Sequence, residues 1–479
     1  MLRSLSPSSF AGSEAALAPG RIVRAGLCVG CGACAAQEGV DARMVLDRFG
    51  RFKPEASRDW LAEPSEDLAR ACPFSPVARN EDELAAMRFP NAARSDARIG
   101  RFEAAYVGYA DEGGFRENGS SGGMTSWVAA ELLRRGLVDA VAHVTPTAHP
   151  QKGDVLFGYS ISRTAAEVSA GAKSRYYPVE LSRTIAAIRS TPGRYAVTGV
   201  PCFIKALQLL SAEDELLRER IAFYLGLFCG HMKSAALAES FAWQLGVAPD
   251  EIDAFDFRTK DARRPANWYR ARIGCKDGGE RAQDWWHLVD GDWGAGFFQY
   301  PACNFCDDVV AETADVSFGD AWLEPYASDG RGTNVVVVRS PPIQALLREA
   351  AAEGRVRLEE VDADFVHATQ AAGFRQRREG LAWRLSRRRF GVRPNKRVAA
   401  QAPPLRARRK LVYRQRELIS FWSHRMFWLA KRLRAPWLYT AWARLALGVY
   451  QACAHSRGRL GRLLDQIEAA AKGRGAKRP

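Results

Sequence analysis

Four cysteines between residues 200 and 310 have the residue type and the surroundings of metal-cluster ligands. Cys202 follows the apolar run AVTGV, Cys229 ends the run IAFYLGLFC, and Cys303 and Cys306 form a C-x-x-C pair in YPACNFCDD. Both apolar runs predict buried strands, and cysteines at strand ends of an α/β sheet project into the crevice where ligands bind. Four thiolates meeting there would hold an iron–sulfur cluster. The alternative is a set of buried structural cysteines beside a coincidental C-x-x-C pair.

A second cysteine group near the N-terminus has C-x-x-C-x-x-C spacing. Cys28, Cys31 and Cys34 lie in CVGCGACAAQ, and Cys72 follows in ACPFSP. Three thiolates two residues apart on a glycine-containing loop can hold three corners of a cubane, and a distant Cys-Pro can supply the fourth. The intervening VDARMVLDRFGRFKPE predicts a β-hairpin with its turn at Phe49. Cys72 is therefore predicted as the fourth ligand by elimination. A structural zinc site is the alternative, although the spacing favours iron–sulfur.

A glycine-rich segment between a predicted strand and a predicted helix has the composition of an anion-binding loop. It follows AAYVGYA, precedes SWVAAELLRRG and comprises Asn118, Gly119, Ser120, Ser121, Gly122, Gly123, Met124 and Thr125. Its backbone N–H groups and the helix N-terminus would face a phosphate of a nucleotide cofactor. A serine N-cap with turn glycines is the alternative, because the pattern is neither a Walker loop nor G-x-G-x-x-G.

Lys173 lies among small residues in AGAKSRYYPVEL. In that setting a lysine can approach a phosphate or a flavin ring. The alternative is a solvated loop lysine.

The elements that must position these residues alternate between strand and helix. The run KALQLLSAEDELLRERI predicts a crossover helix between the two strands that precede Cys202 and Cys229, so these strands are expected to be parallel. Residues 138–144 predict a further strand, and the Trp-rich residues 250–300 predict an antiparallel β insertion. The sequence therefore predicts an α/β fold with α+β elements around a mixed sheet.

Composition sets the class of protein. The chain has 479 residues, of which 47% are apolar, enough for roughly three domains with buried cores. Ten cysteines are too sparse for a disulfide scaffold of this length, and the first residues lack the apolar region of a secretion signal. No uncharged apolar stretch is long enough to span a bilayer. These features predict a reducing, cytoplasmic location.

The formal net charge of +15 is concentrated in the last hundred residues. Residues 411–450 mix Trp, Phe and Tyr with Arg and Lys, a composition typical of basic amphipathic helices at a membrane interface. This predicts a candidate peripheral contact with the inner membrane face, with docking on a partner helix or a plain helical cap as alternatives. Nucleic acid is not an expected partner, because no reader motif is present.

Taken together, the motifs resemble those of the coenzyme F-420 hydrogenase/dehydrogenase beta-subunit family, which includes 7-hydroxymethyl chlorophyll a reductase. The resemblance runs from about Gly26 to Phe374 and rests on the order of CVGCGACAAQ with ACP, NGSSGGMTS, AGAKSRYY, TGVPCFIKAL, GLFCGH and CNFCDDVVAETADVSFGDAW. One departure is that Ser174 and Arg175 stand between Lys173 and Tyr176, where the family usually has Gly-(Ser/Thr)-Lys-Tyr.

The resemblance implies two 4Fe–4S clusters and FAD. It implies that the 202/229/303/306 cysteines ligate the inner cluster, that the N-terminal cysteines form an added ferredoxin-like module, and that the glycine-rich loop and Lys173 bind the flavin. The implied fold is a mixed-sheet, flavin-binding α/β core with that module at one end and a helical, basic C-terminal tail. The predicted segments are a disordered N-terminus (1–25), a ferredoxin-like 4Fe–4S module (26–95), the flavin-binding part of the core (96–180), the part with the second cluster (181–379) and the tail (380–479).

These features predict an oxidoreductase. Iron–sulfur clusters pass one electron at a time, whereas a flavin stores two. Electrons would pass from a ferredoxin-type donor or a partner redox subunit through the clusters to FAD and on to a small organic two-electron acceptor. The alternatives are a non-enzymatic electron-transfer subunit and a zinc-bound interaction protein that docks at membranes. The sequence names no catalytic proton donor, and His231 beside the Cys229-Gly230 pair is not assigned that role.

Overall fold

The computed structural model describes residues 16–388 and 390–475, with side chains as far as residue 469. Its strands are β1 (Ala42–Leu46), β2 (Phe52–Ala56), β3 (Arg94–Asp96), β4 (Gly100–Phe102), β5 (Ala104–Ala110), β6 (Ala140–Pro146), β7 (Phe157–Ser162), β8 (Tyr195–Gly199), β9 (Ile221–Leu227), β10 (Ile252–Thr259), β11 (Arg270–Cys275), β12 (Glu280–Asp284), β13 (Val316–Asp320), β14 (Asn334–Val338) and β15 (Val356–Val361).

The helices are α1 (Pro19–Arg24), α2 (Arg58–Ala62), α3 (Glu66–Ala71), α4 (Glu81–Arg88), α5 (Phe115–Asn118), α6 (Met124–Arg134), α7 (Ala165–Ala170), α8 (Ser182–Ser190), α9 (Pro201–Glu213), α10 (Glu215–Arg220), α11 (Ala236–Gln244), α12 (Pro341–Ala352), α13 (Ala363–Thr369), α14 (Ala371–Arg377), α15 (Glu379–Arg387), α16 (Ala407–Leu433), α17 (Pro436–His455) and α18 (Gly458–Gly475).

An eight-stranded mixed sheet forms the centre of the fold, in the order β15-β5-β14-β13-β9-β8-β6-β7. Four adjacent strands, β13, β9, β8 and β6, are parallel to one another. Beyond β13, each of the strands β14, β5 and β15 is antiparallel to the strand before it in this order. Strands β8 and β14 consist of buried residues along their whole length, as expected for strands covered on both faces. The predicted mixed α/β fold is confirmed.

The crossover that carries the inner cysteines also agrees with the sequence. Strands β8 and β9 are parallel neighbours, and the helices α9 and α10 connect them. Parallel strands need such a crossover, since a tight turn cannot reverse the chain direction twice. The strand ends that precede Cys202 and Cys229 therefore lie side by side at one edge of the sheet.

The N-terminal part is folded further toward the chain start than predicted. The expected hairpin is present as β1 paired antiparallel with β2, and Asp47 Oδ1 accepts from the N–H groups of Phe49 and Arg51 in its turn. The predicted disorder of residues 1–25 is wrong for residues 16–25: α1 lies there, and Leu17, Ala18 and Ile22 are buried. Burial of these apolar side chains against the rest of the protein stabilises the short helix. The polar residues around them in the chain gave no sign of that burial. Residues 1–15 lie outside the described part of the chain.

Strands β10, β11 and β12 form a separate antiparallel sheet, as predicted for the Trp-rich insertion. The tail helices α16 and α17 pack against each other and against the apolar cluster that contains this sheet's buried residues. Ile419 and Phe427 of α16 and Tyr439 of α17 are buried in that contact. Across the described residues, none of the helices combines the length and the apolar character that crossing a membrane requires.

Candidate redox centre

The N-terminal cysteines surround one cavity. Cys28, Cys31, Cys34 and Cys72 line it together with apolar residues that include Pro19, Ile22, Val29 and Leu68. Gly30 and Gly32 have φ angles of 77° and 86°, a left-handed backbone that turns the loop between the cysteines at little cost. Helix α3 ends at Ala71 and delivers Cys72 as the next residue. The fourth cysteine predicted by elimination is thus in place beside the other three.

Burial and repulsion from neighbouring thiols disfavour the thiolate form at Cys34 and Cys72. Burial, followed by the charges of Cys28, Cys31 and Cys72, raises the pKa of Cys34 well above its usual value. Burial, reinforced by Cys28, raises the pKa of Cys72 to about 12. Thiolates that repel one another in an apolar cavity become stable when a metal centre supplies positive charge among them. The donor set therefore fits an iron–sulfur cluster.

The inner cysteines converge from three separate segments. Cys202 lies in the first turn of α9, directly after β8, and Cys229 lies two residues beyond the end of β9. Cys303 lies in a short 3-10 helix of residues 301–305, and Cys306 follows it. Burial, followed by repulsion from the other three thiols, raises the pKa of Cys202 well above its usual value. The four side chains are therefore electrostatic neighbours, which the sequence predicted from strand ends alone.

An arginine outside the predicted site holds the inner group together. Arg377, at the end of α14, is 2% exposed, and its Nη1 donates to Cys306 Sγ at 2.5 Å and to Asp308 O at 2.6 Å. Its Nη2 donates to the carbonyl oxygens of Cys229 and Gly230 at 2.7 and 2.8 Å. One guanidinium therefore links the segment after β9 to the C-x-x-C segment. In the sequence Arg377 belongs to the run RQRRE, which looks like an ordinary solvated helix end.

A backbone amide also faces the inner group. Met232 N donates to Cys303 Sγ at 3.3 Å, and Met232 Sδ lies 4.0 Å from Cys202 Sγ. Hydrogen bonds to sulfur are one of the means by which proteins set the reduction potential of a bound cluster. The inner group thus has the polar support that a cluster site needs, beyond its four thiols.

The two cysteine groups are neighbours. Cys31 of the N-terminal group and Cys202 of the inner group belong to the same apolar core cluster, and the charge of Cys31 contributes to raising the pKa of Cys202. Tyr159 packs against the same cluster: burial, followed by the charges of Cys202 and Cys31, raises the pKa of its phenol. Its hydroxyl donates to Thr198 O at 2.8 Å. The tertiary structure thus places two motifs that are about 170 residues apart in the chain in one apolar core cluster.

The glycine-rich loop and the Lys173 segment meet directly. Ser174 N donates to Ser120 Oγ at 2.8 Å. A Cβ on Gly122 would lie 2.7 Å from Gly108 O, and one on Gly123 would lie 2.3 Å from Phe115 O. Gly119, Ser121, Gly122, Gly123 and Met124 are buried, whereas Asn118 is exposed and Ser120 and Thr125 are half-buried. The glycines allow the loop to pack closely against its neighbours. The residues of the loop that a ligand can reach are therefore its polar rim, Asn118, Ser120 and Thr125.

An open cleft of about 620 Å³ lies beside this rim. Its walls include Asn118, Lys173 and Arg175 on one side and Phe255 and Arg272 of the antiparallel sheet on the other. Pockets of this size take nucleotide-sized ligands. Lys173 has a φ of 125° and its Nζ lies 3.6 Å from Asp256 Oδ2; burial is the main reason that its pKa is lowered. Asp256 and Glu280 also line the cleft, and of the predicted loop residues Asn118 is the one in its lining. The size of the cleft and its three cations fit a flavin nucleotide.

Lys260 is a further cation that the sequence did not single out. Its Nζ donates to the carbonyl oxygens of Arg116, Ser121 (3.0 Å) and Arg331 (2.8 Å), which clamps the loop against two other segments. Burial, followed by the neighbouring charges of Lys173 and Arg258, lowers the pKa of Lys260 to about 8. Nothing in the sequence around Lys260 distinguishes it from a surface lysine.

Tyr176 connects the cleft side to the inner cysteines. It follows Lys173 by three residues, and its ring packs 4.8 Å from the ring of Trp293. Burial raises the pKa of its phenol, and among the lesser causes is the charge of Cys229. His231, the neighbour that sequence reasoning considered, is buried and stacks on Trp293 at 4.3 Å. Its Nε2 has no hydrogen-bond partner among the described residues.

In the described part of the chain, no three His, Cys, Asp or Glu side chains converge closely enough to hold a single metal ion. The N-terminal group is therefore identified by the cavity that its four cysteines line, and the inner group by its mutual electrostatics and its place in the same apolar core cluster.

Sequence comparison identifies the protein family. The family model for the coenzyme F420 hydrogenase/dehydrogenase beta subunit N-terminus matches residues 105–186, and the model for the C-terminus matches residues 193–364. Together they cover more than half of the chain, including the glycine-rich loop, Lys173 and the four inner cysteines. The chain belongs to this family. The predicted relationship is confirmed, and with it an oxidoreductase-type role in electron transfer.

One solved structure similar to this member of the family is a chain of the F420-reducing [NiFe] hydrogenase complex from Methanosarcina barkeri. The two chains are 16% identical and superpose with a TM-score of 0.48, over 63% of this chain and 99% of the other. No curated protein matches this chain. The N-terminal cysteines and the tail helices lie outside the residues that the two family models match.

Proposed function

We propose that this family member is an iron–sulfur flavoprotein oxidoreductase with two 4Fe–4S clusters and one FAD. Cys28, Cys31, Cys34 and Cys72 would hold one cluster, and the 202/229/303/306 cysteines would hold the other. The observation that carries the proposal is that two four-cysteine groups have members in one apolar core cluster, and that the charge of Cys229 in the inner group acts on Tyr176, three residues after Lys173 of the cleft.

The residues of the cleft would bind and orient the flavin. Lys173 and the polar rim of the loop, Asn118 to Thr125, would face its phosphates, since cations and helix N-termini favour anions. When bound, the clusters and the flavin would supply single-electron and two-electron chemistry, respectively. Tyr159 packs against the core cluster that contains Cys31 and Cys202, and Tyr176 packs on Trp293. The residues themselves do not identify a proton donor.

The proposed donor is a ferredoxin-type protein or a partner redox subunit, and the proposed acceptor is a small organic molecule that takes two electrons. The N-terminal group supports this order, because three of its four cysteines are half-buried (all but Cys31), whereas in the inner group Cys229 is half-buried and the other three are buried. An electron entering from a protein partner would reach the more accessible group first.

Anaerobic purification followed by cofactor analysis tests the proposal. We expect about eight iron, about eight sulfide and about one FAD per chain, with a broad absorbance near 400 nm. Reduced ferredoxin or dithionite should then support reduction of an organic acceptor by the purified chain. A colourless, zinc-containing protein would contradict the proposal. Cofactor turnover only with a partner subunit would favour the non-enzymatic electron-transfer role.

The substitution Cys303→Ser tests the ligand assignment. We expect it to remove about half of the iron and leave the N-terminal cluster, because it takes one of four thiols from the inner group alone. The matched control is Cys275→Ser, since Cys275 ends β11 and belongs to neither group. Iron and sulfide quantification would decide the matter, and unchanged iron in the Cys303 variant would refute the assignment.

A further inference from the structure

Two long helices of the tail expose large apolar side chains on the side away from the core. We call this surface the tail face and define it by Leu418, Phe421, Trp422 and Leu433 of α16 and Trp437 and Leu445 of α17. These side chains are 55%, 45%, 45%, 59%, 69% and 69% exposed. Large exposed apolar patches mark sites of association with a membrane or a partner.

The exposed residues of both helices lie on faces that point away from one shared apolar cluster. In α16 the buried residues Ile419, Ser423, Phe427 and Ala430 follow helical spacing on the face opposite Leu418. Helix α17 buries Tyr439, Ala443 and Tyr450 against the same apolar cluster, and the two helices pack on each other. Two helices laid side by side on one core present their remaining faces in the same direction.

The charge of this surface has a single sign. Residues 407–455 contain one acidic residue, Glu417, which is half-buried. The same helices and the turn between them expose several cations, among them Arg414, Arg432, Arg434 and Arg444. A surface of this kind is electrostatically complementary to an anionic partner.

Cations and aromatic rings alternate along α16. The guanidinium of Arg425 lies 3.2 Å from the centre of the Phe421 ring, and that of Arg432 lies 5.7 Å from the Trp428 ring. Interfacial helices have this pairing, because aromatic rings reside at the headgroup level while cations contact lipid phosphates.

We propose that the tail face binds the surface of a membrane rich in anionic phospholipid, with α16 and α17 lying in the plane of the headgroups. The occupant is a lipid surface because apolar and cationic side chains are interleaved along the whole of α16, which spans about 40 Å. An anionic bilayer offers acyl carbon and phosphate everywhere along that length. The proposal is independent of the cofactors, and would place the redox centre beside a membrane.

Co-sedimentation of the full-length protein with vesicles tests this binding. One set of vesicles is phosphatidylcholine alone, and the other contains about 30% phosphatidylglycerol, an anionic lipid. We expect binding to the anionic vesicles to be on the order of tenfold stronger and to weaken as salt is raised, because each arginine near the surface adds electrostatic attraction.

Two pairs of substitutions locate the contact. The pair Trp422→Ser with Trp437→Ser removes exposed aromatics, and the pair Arg432→Glu with Arg444→Glu reverses exposed charges. The matched controls are Trp286→Ser, at a tryptophan 64% exposed outside the tail, and Arg281→Glu on the exposed β12. We expect each tail pair to weaken binding on the order of tenfold and the controls to bind like the wild type.

Three results would overturn the proposal: equal binding to both kinds of vesicle, retained binding by both tail pairs, or loss of binding in the controls as well. Tail-dependent binding to polyglutamate without binding to vesicles would assign the surface to an acidic protein instead. Circular dichroism and iron content of each variant distinguish a lost contact from a lost fold, and do not depend on lipid.

Discussion

Arg377 shows how a single side chain can shape a multi-thiol site. Its guanidinium donates to one cysteine sulfur and to three carbonyl oxygens, of Cys229, Gly230 and Asp308. Since Arg377 is buried, each of these acceptors would lose its partner without gaining water if the side chain were removed. A fixed positive charge in contact with Cys306 also favours the more negative, reduced state of a cluster bound there.

If the two proposed clusters are bound, the substitution Arg377→Gln is expected to lower the reduction potential of the inner one, on the order of 50–100 mV. The physical reason is the loss of one positive charge and of a charge-assisted hydrogen bond to sulfur. A redox titration followed by electron paramagnetic resonance measures the change. The N-terminal cluster of the same molecule is the internal control, and Arg377→Lys should recover part of the shift. An inner potential equal to that of the wild type would show that Arg377 has only a structural role.

At the scale of elements, the glycine-rich loop works through tight packing between β5 and α6. Gly123 has a φ of 77°, and a Cβ there would meet Phe115 O at 2.3 Å. Gly136, after the end of α6, has a similar φ of 61° but nothing within 4 Å of its added Cβ. Substitution at Gly136 therefore measures the free energy cost of a left-handed backbone alone. Substitution at Gly123 adds the cost of a steric clash.

The comparison of Gly123→Ala with Gly136→Ala should show this difference. We expect about 1–2 kcal/mol of destabilisation at Gly136, from the left-handed backbone alone. A larger loss is expected at Gly123, because Phe115 or the loop must move. Thermal unfolding midpoints and bound flavin per chain are the measurements. If the two variants had the same midpoint and the same flavin content, close packing of the loop would not matter for the cleft.

At the scale of the whole molecule, three parts of the chain are joined by buried polar contacts. Lys396, which precedes the tail helices, bonds Glu81 of α4 at 3.2 Å and Asp307 beside the C-x-x-C pair at 3.0 Å. Lys205 of α9 shares Glu81 at 3.2 Å. Buried charges of this kind are costly when a partner is missing, so they enforce one arrangement of the parts. The N-terminal segment, the core and the start of the tail are thus locked together around the redox centre.

His424 of α16 is a buried residue that also joins these parts of the chain, and it makes the stability of the protein depend on pH. It is buried between Phe49 of the N-terminal hairpin and Phe298 of the core, and its Nδ1 lies 2.7 Å from Ser420 O. Burial, followed by the charge of Arg51, lowers its pKa from 6.5 to about 3. The unfolded chain therefore binds a proton below pH 6.5 that the folded protein does not bind until about pH 3.

Stability is consequently expected to fall as the pH drops below 6.5, by about 2 kcal/mol at pH 5 from His424 alone. The free energy of unfolding in urea at pH 7, 6 and 5 measures this. The variant His424→Gln should lose less stability over that range than the wild type, whereas His287→Gln, at an exposed histidine, should follow the wild type. Equal pH dependence in all three proteins would contradict the assignment.

The sequence by itself determined the local features of this protein. Strand runs, the crossover helix, the hairpin after the first three cysteines and the eight cysteines were all visible, because periodicity and spacing are properties of neighbouring residues. The family was visible for the same reason, since its motifs are short and ordered. The local prediction that was wrong is the disorder of residues 16–25, because the burial of that segment depends on residues far along the chain.

Only the tertiary structure decided which distant residues meet. Arg377, Lys260 and Tyr159 resemble ordinary surface or core residues in the sequence, and acquire their contacts from segments about 40 to 150 residues away. The contact between the two cysteine groups is of the same kind. The composition of the tail suggested a membrane surface, but which of its aromatic residues are buried was set by packing on the core. Burial of apolar area stabilises whichever arrangement of the whole chain removes most of it from water, and no local pattern encodes that sum.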